Sequence, residues 1–181
     1  MRKTSLDNIS RRLSYVLRHN PGSIGATLDK QGWTDVDLIL SKLSTSMETL
    51  RAVVDTDNKG RYSLNEDGTK IRANQGHSIR VDLNLKPESV VPDKLFHGTT
   101  ERARHSIKKE GLLPMGRHHV HLTDDLGTAK TVSMRRKSEC CILVIDTKKM
   151  VQDGVLFYKS ENGVWLVDRV DPTYITEVIM I

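Results

Sequence analysis

The feature that most constrains this chain is a hairpin that runs straight into a cationic, amide-rich segment. Arg61-Tyr62-Ser63-Leu64-Asn65 is followed by Glu66-Asp67-Gly68 and then by Thr69-Lys70-Ile71-Arg72. Asp-Gly between two short runs carrying Tyr, Leu and Ile is strong turn chemistry and predicts an antiparallel strand pair. The second strand continues as Ile71-Arg72-Ala73-Asn74-Gln75-Gly76-His77-Ser78. Arg72, Asn74, Gln75 and His77 are poor core formers, and each can donate a hydrogen bond to an anion. Two readings stand side by side: a rigid recognition surface, or a hydrated strand end.

Upstream of the hairpin, Ile9, Leu13, Val16 and Leu17 recur at i, i+4, i+7 and i+8 and predict a helix with Ser5 as its cap. Arg11, Arg12 and Arg18 lie off that stripe. Pro21 disfavours helical geometry at Asn20 and Gly22 permits a turn, so Arg18-His19-Asn20-Pro21-Gly22 ends the helix. Singly, Arg18 and His19 read as cations at a helix C-terminus, worth ~0.3–1 kcal/mol each. Gly22-Ser23-Ile24-Gly25 lacks the flanking helices of a KH loop and reads as a turn, with residues 24–28 extended after it. Trp33 reads as a core anchor. Thr34 reads as the cap of a helix bearing Val36, Ile39, Leu40 and Leu43, with Asp37 at its third position. Ser46 opens a further helix carrying Met47, Leu50, Val53 and Val54. Three helices and then a hairpin is the order of a winged helix.

Residues 81–85 alternate apolar and polar and predict a strand. Pro87 and Pro92, set among charges, mark a linker, and the boundary is placed at residues 90/91, giving domains 1–90 and 91–181. Composition supports the division. Only 37% of the 181 residues are hydrophobic and 4% aromatic, which suits two modest cores better than one large one. In the second half, residues 95–99 read as a strand, Thr100 caps a helix over 101–110, and Gly111 stops it. Strands are predicted at 117–123, 141–145, 155–158, 164–167 and 175–181, with helices at 124–136 and 147–152. Short strands with few helices predict an α+β domain with a split sheet.

The charge balance is 28 Lys+Arg against 23 Asp+Glu, a net +5, which favours nucleic acid or another phosphorylated ligand. No apolar segment follows Met1-Arg2-Lys3, and no apolar run approaches the roughly 20 residues of a membrane helix. The two cysteines, Cys140 and Cys141, are adjacent and suit neither a disulfide framework nor a zinc site. A cytoplasmic protein with no membrane partner is expected. Walker and Rossmann glycine loops and nucleophile elbows are missing from the sequence. His119 and His121 would share a strand face, but no Cys or acidic residue at suitable spacing completes a metal set, so no metal is expected. What remains is a set of arginines and histidines at element ends: Arg18, His19, Arg72, His97, Arg117 and His121.

Five blocks, in order, resemble one family across nearly the whole chain. They are Leu17-Arg18-His19-Asn20-Pro21, the 71–78 segment, His97-Gly98-Thr99, Arg117-His118-His119-Val120-His121-Leu122 and Glu161-Asn162-Gly163-Val164-Trp165-Leu166. The family is that of the RNA (tRNA) 2'-phosphotransferases of tRNA splicing. The resemblance implies a winged-helix RNA-binding lobe joined to an ADP-ribosyltransferase-like lobe that takes NAD. It implies attack of an internal RNA 2'-phosphate on C1'' of the nicotinamide ribose, then collapse of the ADP-ribosylated RNA. The products would be 2'-hydroxyl RNA, ADP-ribose 1'',2''-cyclic phosphate and nicotinamide. By the same resemblance the catalytic set is Arg18, His19, Arg72 and Arg117, and RNA-phosphate contacts fall on Arg18, His19, Arg72, Asn74, Gln75 and His77. NAD contacts fall on His97, Gly98, Thr99, Thr100, His121, Leu122, Thr123, Asn162, Gly163 and Val164, with Gly98 admitting the nicotinamide amide close to the backbone. Many relatives of the ADP-ribosyltransferase fold carry a glutamate where Val164 stands, which argues against protein ADP-ribosylation here. The partners implied are 2'-phosphorylated RNA and NAD, with a monomer as the default. Terminal-phosphate ADP-ribosylation and plain nucleic-acid binding are the competing readings.

Overall fold

A computed structural model of the chain describes residues 3–135 and 138–181. The fold is α+β, and it divides at Leu85/Lys86 into two compact units, ahead of the expected 90/91. Pro87 forms a bridge with Tyr158, and the Glu88 amide donates to the Phe157 carbonyl at 2.8 Å, so the proline-rich segment belongs to the second unit.

The first unit begins with helix α1 (Lys3–Arg18), in which Ser5 is an interior residue rather than the cap. A 3-10 turn, Pro21–Ile24, follows, and then strand β1 (Thr34–Asp35), helices α2 (Val36–Leu43) and α3 (Met47–Asp55), and strands β2 (Tyr62–Leu64) and β3 (Lys70–Ala73). Ser46 caps α3 as expected, accepting from the Thr49 amide at 3.2 Å. Thr34 is not a helix cap. It lies in β1, opposite Ile71, and Asp35 stands at the α2 N-cap without a side-chain cap bond. The sheet order is β1-β3-β2, all antiparallel, so β3 is the hydrogen-bonded centre. Ile9, Leu13, Leu17, Ile39, Leu43, Leu50 and Ile71 fill the core beneath it. Residues 81–85 form no strand; Val81 is buried, and the Asp82 amide donates to the Lys30 carbonyl at 2.8 Å.

The second unit runs β4 (Lys94–Thr100), α4 (Glu101–Glu110), β5 (Val120–Leu122), α5 (Leu126–Ser133), β6 (Cys140–Asp146), α6 (Thr147–Gln152), β7 (Tyr158–Lys159), β8 (Trp165–Val167) and β9 (Ile175–Met180). Among the described residues these strands make two antiparallel three-stranded sheets, β4-β6-β9 and β5-β8-β7. One bridge, Phe96 to Thr123, ties the first sheet to the second. Central β6 is buried nearly throughout, which is why Cys140-Cys141-Ile142-Leu143-Val144-Ile145 reads as a continuous apolar run. Both cysteines are free thiols, and burial pushes that of Cys141 up. The expected α5 extended to Arg136, which lies outside the described residues; the described helix ends at Ser133. Among the described residues, no helix is long and apolar enough to cross a membrane.

Gly98 controls how α5 sits. A Cβ built there would stand 2.2 Å from the Ala129 carbonyl oxygen and 3.1 Å from Ser133 Cβ. The helix backbone therefore rests directly on β4, an approach open only to glycine. Gly98→Ala must lift α5 off the strand, and such overpacking costs about 1–3 kcal/mol. Denaturant unfolding will show a lowered midpoint for Gly98→Ala, whereas Gly116→Ala, whose Cβ meets nothing within 4 Å, will unfold like wild type. Equal midpoints for all three proteins would refute the close-approach account.

Candidate active-site residues in the two units

In the first unit, the end of α1 and the 74–78 turn are clipped together. The Ser78 amide donates to the Arg18 carbonyl at 2.9 Å, and the Ser78 hydroxyl lies 2.8 Å from His19 Nδ1. Residues sixty apart in sequence thus become neighbours. The same hydroxyl also donates to the Arg18 carbonyl, at 3.5 Å. A hydroxyl that donates there accepts from Nδ1–H of His19, so Ser78 orients the ring. Gly76 has φ +85°, and the Arg18 guanidinium lies against it, Cζ standing 3.6 Å from where a Cβ would be. A side chain there would suffer a strained backbone, although its Cβ would meet the arginine only at ordinary contact distance.

Arg72 is held differently. Along β3, Ile71 and Ala73 point into the core while Lys70 and Arg72 point to the other face. The Arg72 guanidinium lies over the Trp33 ring, 4.6 Å from its centroid. Trp33 is only half-buried, so it is an aromatic platform and not the expected core anchor. α1 packs against β3, which brings the elements bearing Arg18 and Arg72 together.

Two of the expected RNA-phosphate contacts are interior residues. Asn74 is 6% exposed: its Oδ1 accepts from the Ser63 hydroxyl at 2.8 Å, and its Nδ2 donates to the Gly60 carbonyl at 2.8 Å. The amide pins the base of the hairpin. His77 is 3% exposed, and its Nε2 sits 3.5 Å from where a Gly32 Cβ would stand, packed on the turn before Trp33. Both support the turn from inside, whereas Gln75 is half-buried.

In the second unit the candidates gather where β4 and β5 part. Phe96 and Thr123 exchange backbone hydrogen bonds at 2.8 and 3.0 Å; beyond them β4 pairs with β6 and β5 with β8. His97 Nδ1 lies 3.0 Å from the His121 carbonyl, which can only accept, so the proton resides on Nδ1 and Nε2 is an acceptor. Arg117 Nη1 donates to His121 Nδ1 at 3.3 Å. Arg117 is exposed, on a turn closed by its amide donating to the Pro114 carbonyl at 3.1 Å. The two imidazoles are thus fixed in orientation by the His121 carbonyl and by Arg117.

The remaining expected NAD contacts divide. Thr100 caps α4, accepting from the Ala103 amide at 3.2 Å, and Leu122 lies in the core. Gly98 is required by its packing against α5. Thr99 is half-buried, and Thr123 accepts from the Asp125 amide at 3.2 Å. Asn162, Gly163 and Val164 form a tight turn on Ser160, whose hydroxyl lies 2.7 Å from Asn162 Oδ1 and accepts from the Val164 amide at 3.1 Å. Gly163 has φ +78°, as that turn requires. Among the described residues no group of three or more His, Cys, Asp or Glu side chains could hold a metal ion. Trp33 and Ser78 were missed as positioning residues. Ser78 stood within the quoted motif, and nothing local to Trp33 foretold its cationic partner.

Burial pushes the His97 pKa down. The hydrogen bond to the His121 carbonyl opposes this, and the Arg117 charge lowers it further. With a folded pKa below the unfolded one, the unfolded chain binds more protons, so this group's contribution is present above the ordinary histidine pKa of about 6.5 and is lost as pH falls below it. NMR titration will place His97 below that ordinary value, and Arg117→Ala will move it upward. A His97 pKa at or above the ordinary value would contradict the geometry.

The family described as RNA 2'-phosphotransferase, Tpt1 / KptA family, matches residues 4–169. A Burkholderia pseudomallei protein named "Probable RNA 2'-phosphotransferase" is 48% identical over 171 residues, covering 92% of each chain. A protein of the same name from Fusobacterium nucleatum is also 48% identical, over 92% of this chain and 96% of its own. One from Nostoc punctiforme is 45% identical, over 98% of this chain and 100% of its own. These matches span both units and every element that carries Arg18, His19, Arg72, Arg117 and His121. The chain belongs to the RNA 2'-phosphotransferase family and is an enzyme of the transferase class.

Proposed function

We propose that this chain removes an internal RNA 2'-phosphate by transferring it to the ADP-ribose moiety of NAD, which is consumed as a co-substrate. The observation that carries the reading is the family match across 4–169, together with two arginines whose guanidinium planes rest on uncharged supports. Arg18 lies against Gly76 and Arg72 lies over Trp33. A guanidinium oriented in this way suits bidentate binding of phosphate oxygens. The first unit would be a winged-helix RNA-binding lobe. Its order α1-β1-α2-α3-β2-β3 supports this, with β2–β3 as the wing. The second would be an ADP-ribosyltransferase-like NAD-binding lobe. A monomer acting on tRNA-like splicing products in the cytoplasm completes the reading.

In the proposed reaction a 2'-phosphate oxygen of the RNA bonds to C1'' of the nicotinamide ribose, and the C1''–N bond breaks. A pyridinium leaves as neutral nicotinamide, so no acid is needed to protonate it, and the carboxyl pair of ordinary glycosidases is dispensable. The ribose 2''-hydroxyl next attacks phosphorus and the bond to the RNA 2'-oxygen breaks. That oxygen takes a proton, giving 2'-hydroxyl RNA and ADP-ribose 1'',2''-cyclic phosphate. Arg18, Arg72 and Arg117 would stabilise charge on the phosphoryl oxygens. His19, oriented by Ser78, would supply the proton. His97 and His121, with Thr99, Thr123 and the 162–164 turn, would line the NAD site. Gln75 would join the phosphate contacts, while Asn74 and His77 hold the turn from within.

A charge-assisted bond contributes roughly 1.5–3 kcal/mol, and each 1.4 kcal/mol or so is a decade in rate. Arg72→Ala and Arg117→Ala should therefore each lose about ten- to hundredfold or more. The assay mixes NAD with a short oligonucleotide bearing one internal 2'-phosphate and follows nicotinamide release and RNA mass. Wild type should release one nicotinamide per phosphate removed, and ADP-ribosylated RNA accumulating in a variant would assign that arginine to the second step. Absence of nicotinamide release, a lasting gain of ADP-ribose on the RNA with wild type, or full turnover by both variants would overturn the proposal.

A further inference from the structure

The solvent face of α1 carries a polar stripe that the reaction above does not use. Asn8, Arg11, Arg12 and Tyr15 lie at i, i+3, i+4 and i+7, one continuous face of the helix. The helical bonding continues through His19, whose amide donates to the Tyr15 carbonyl at 2.9 Å, so the stripe leads to that histidine. The stripe borders a groove of about 480 Å³, floored by Val16, Ile24 and Leu43 and lined by no carboxylate.

The polar side chains around this groove are set rather than loose. Arg12 Nη1 donates to the Leu43 carbonyl at 3.3 Å, which holds the guanidinium at the rim. Arg11 Nε donates to the Asp7 carbonyl at 3.4 Å. Neither arginine is ion-paired among the described residues. Tyr15 is 51% exposed, an unusual state for so large an aromatic ring, and its hydroxyl accepts from Asn20 Nδ2 at 3.2 Å. Its ring lies 6.3 Å from that of His19, centroid to centroid. Two anchored cations, one oriented aromatic face and an apolar floor make the combination that binds single-stranded nucleic acid: phosphates on guanidinium groups and a base on the ring.

We infer that this groove is a second RNA subsite, taking the nucleotides that flank the reacting 2'-phosphate on one side. Arg11 and Arg12 bind backbone phosphates and Tyr15 stacks a base. From Arg12 to His19 the helix rises roughly 10 Å, at about 1.5 Å per residue. That distance is short enough for one strand to reach both places. The inference deepens the RNA reading above and predicts that the enzyme grips RNA beyond the modified nucleotide, through contacts indifferent to base identity.

The test is fluorescence anisotropy with a labelled single-stranded RNA that carries no 2'-phosphate, without NAD, over a series of KCl concentrations. It therefore reads the subsite whether or not the phosphotransfer proposal holds. Arg11→Gln/Arg12→Gln should weaken binding about tenfold or more and make the log–log salt slope shallower by about 1.4, at about 0.7 per phosphate contact on a single strand. Tyr15→Ala should weaken binding about tenfold with the slope unchanged, and Tyr15→Phe, which keeps the ring, should bind as wild type. A wild-type slope in the double arginine variant, wild-type affinity in Tyr15→Ala, or Tyr15→Phe as weak as Tyr15→Ala would overturn the inference.

Discussion

The hydrogen bond from the Ser78 amide to the Arg18 carbonyl holds the first unit's chemistry in place. A helix end normally leaves its last carbonyls for water or a cap. Here one of them receives a turn that arrives from the central strand of the sheet. The bond fixes Arg18, His19 and the 75–78 segment as one piece, and the Ser78 hydroxyl then orients the His19 ring. Gly76 lets the turn adopt φ +85°, a conformation L side chains rarely take. Asn74 and His77, both interior, keep the turn from relaxing. The exposed polar residues depend on the buried ones.

The second unit reaches a similar end by different means. The Phe96–Thr123 bridge joins two small sheets and sets His97 beside His121. The carbonyl of one imidazole-bearing residue fixes the proton on the other, and Arg117 fixes the second ring in turn. The glycine of the His97-Gly98-Thr99 motif serves the layer behind this pair, letting α5 lie against β4. A glycine within a candidate site motif can therefore be required by packing alone.

Local chemistry was legible in the sequence where one segment decides its own conformation. The Asp67-Gly68 turn, the Ser46 and Thr100 caps, the Gly111 stop and the apolar run of β6 all lie within a few residues of their cause. Errors came where the deciding partner is distant. Thr34 looks like a cap until Ile71 pairs with it, and the alternation of residues 81–85 has no neighbouring strand to complete it. Trp33 looks like core until Arg72 lies over it. Asn74 and His77 look like surface donors because side-chain polarity does not say which way a turn will face. Family resemblance located the arginines, but only the coordinates separate those that rest on supports from the residues that do the supporting.

The central claim is that Ser78 organises a phosphate-binding surface from a helix end and a turn. Its most direct measurement is the affinity ratio between an oligonucleotide carrying one internal 2'-phosphate and the same oligonucleotide with a 2'-hydroxyl, for wild type and Ser78→Ala. A neutral hydrogen bond contributes about 0.5–1.5 kcal/mol, so the variant should narrow the ratio by roughly two- to tenfold while binding the unmodified oligonucleotide as wild type does. An unchanged ratio, or no preference for the phosphorylated oligonucleotide in wild type, would contradict the account.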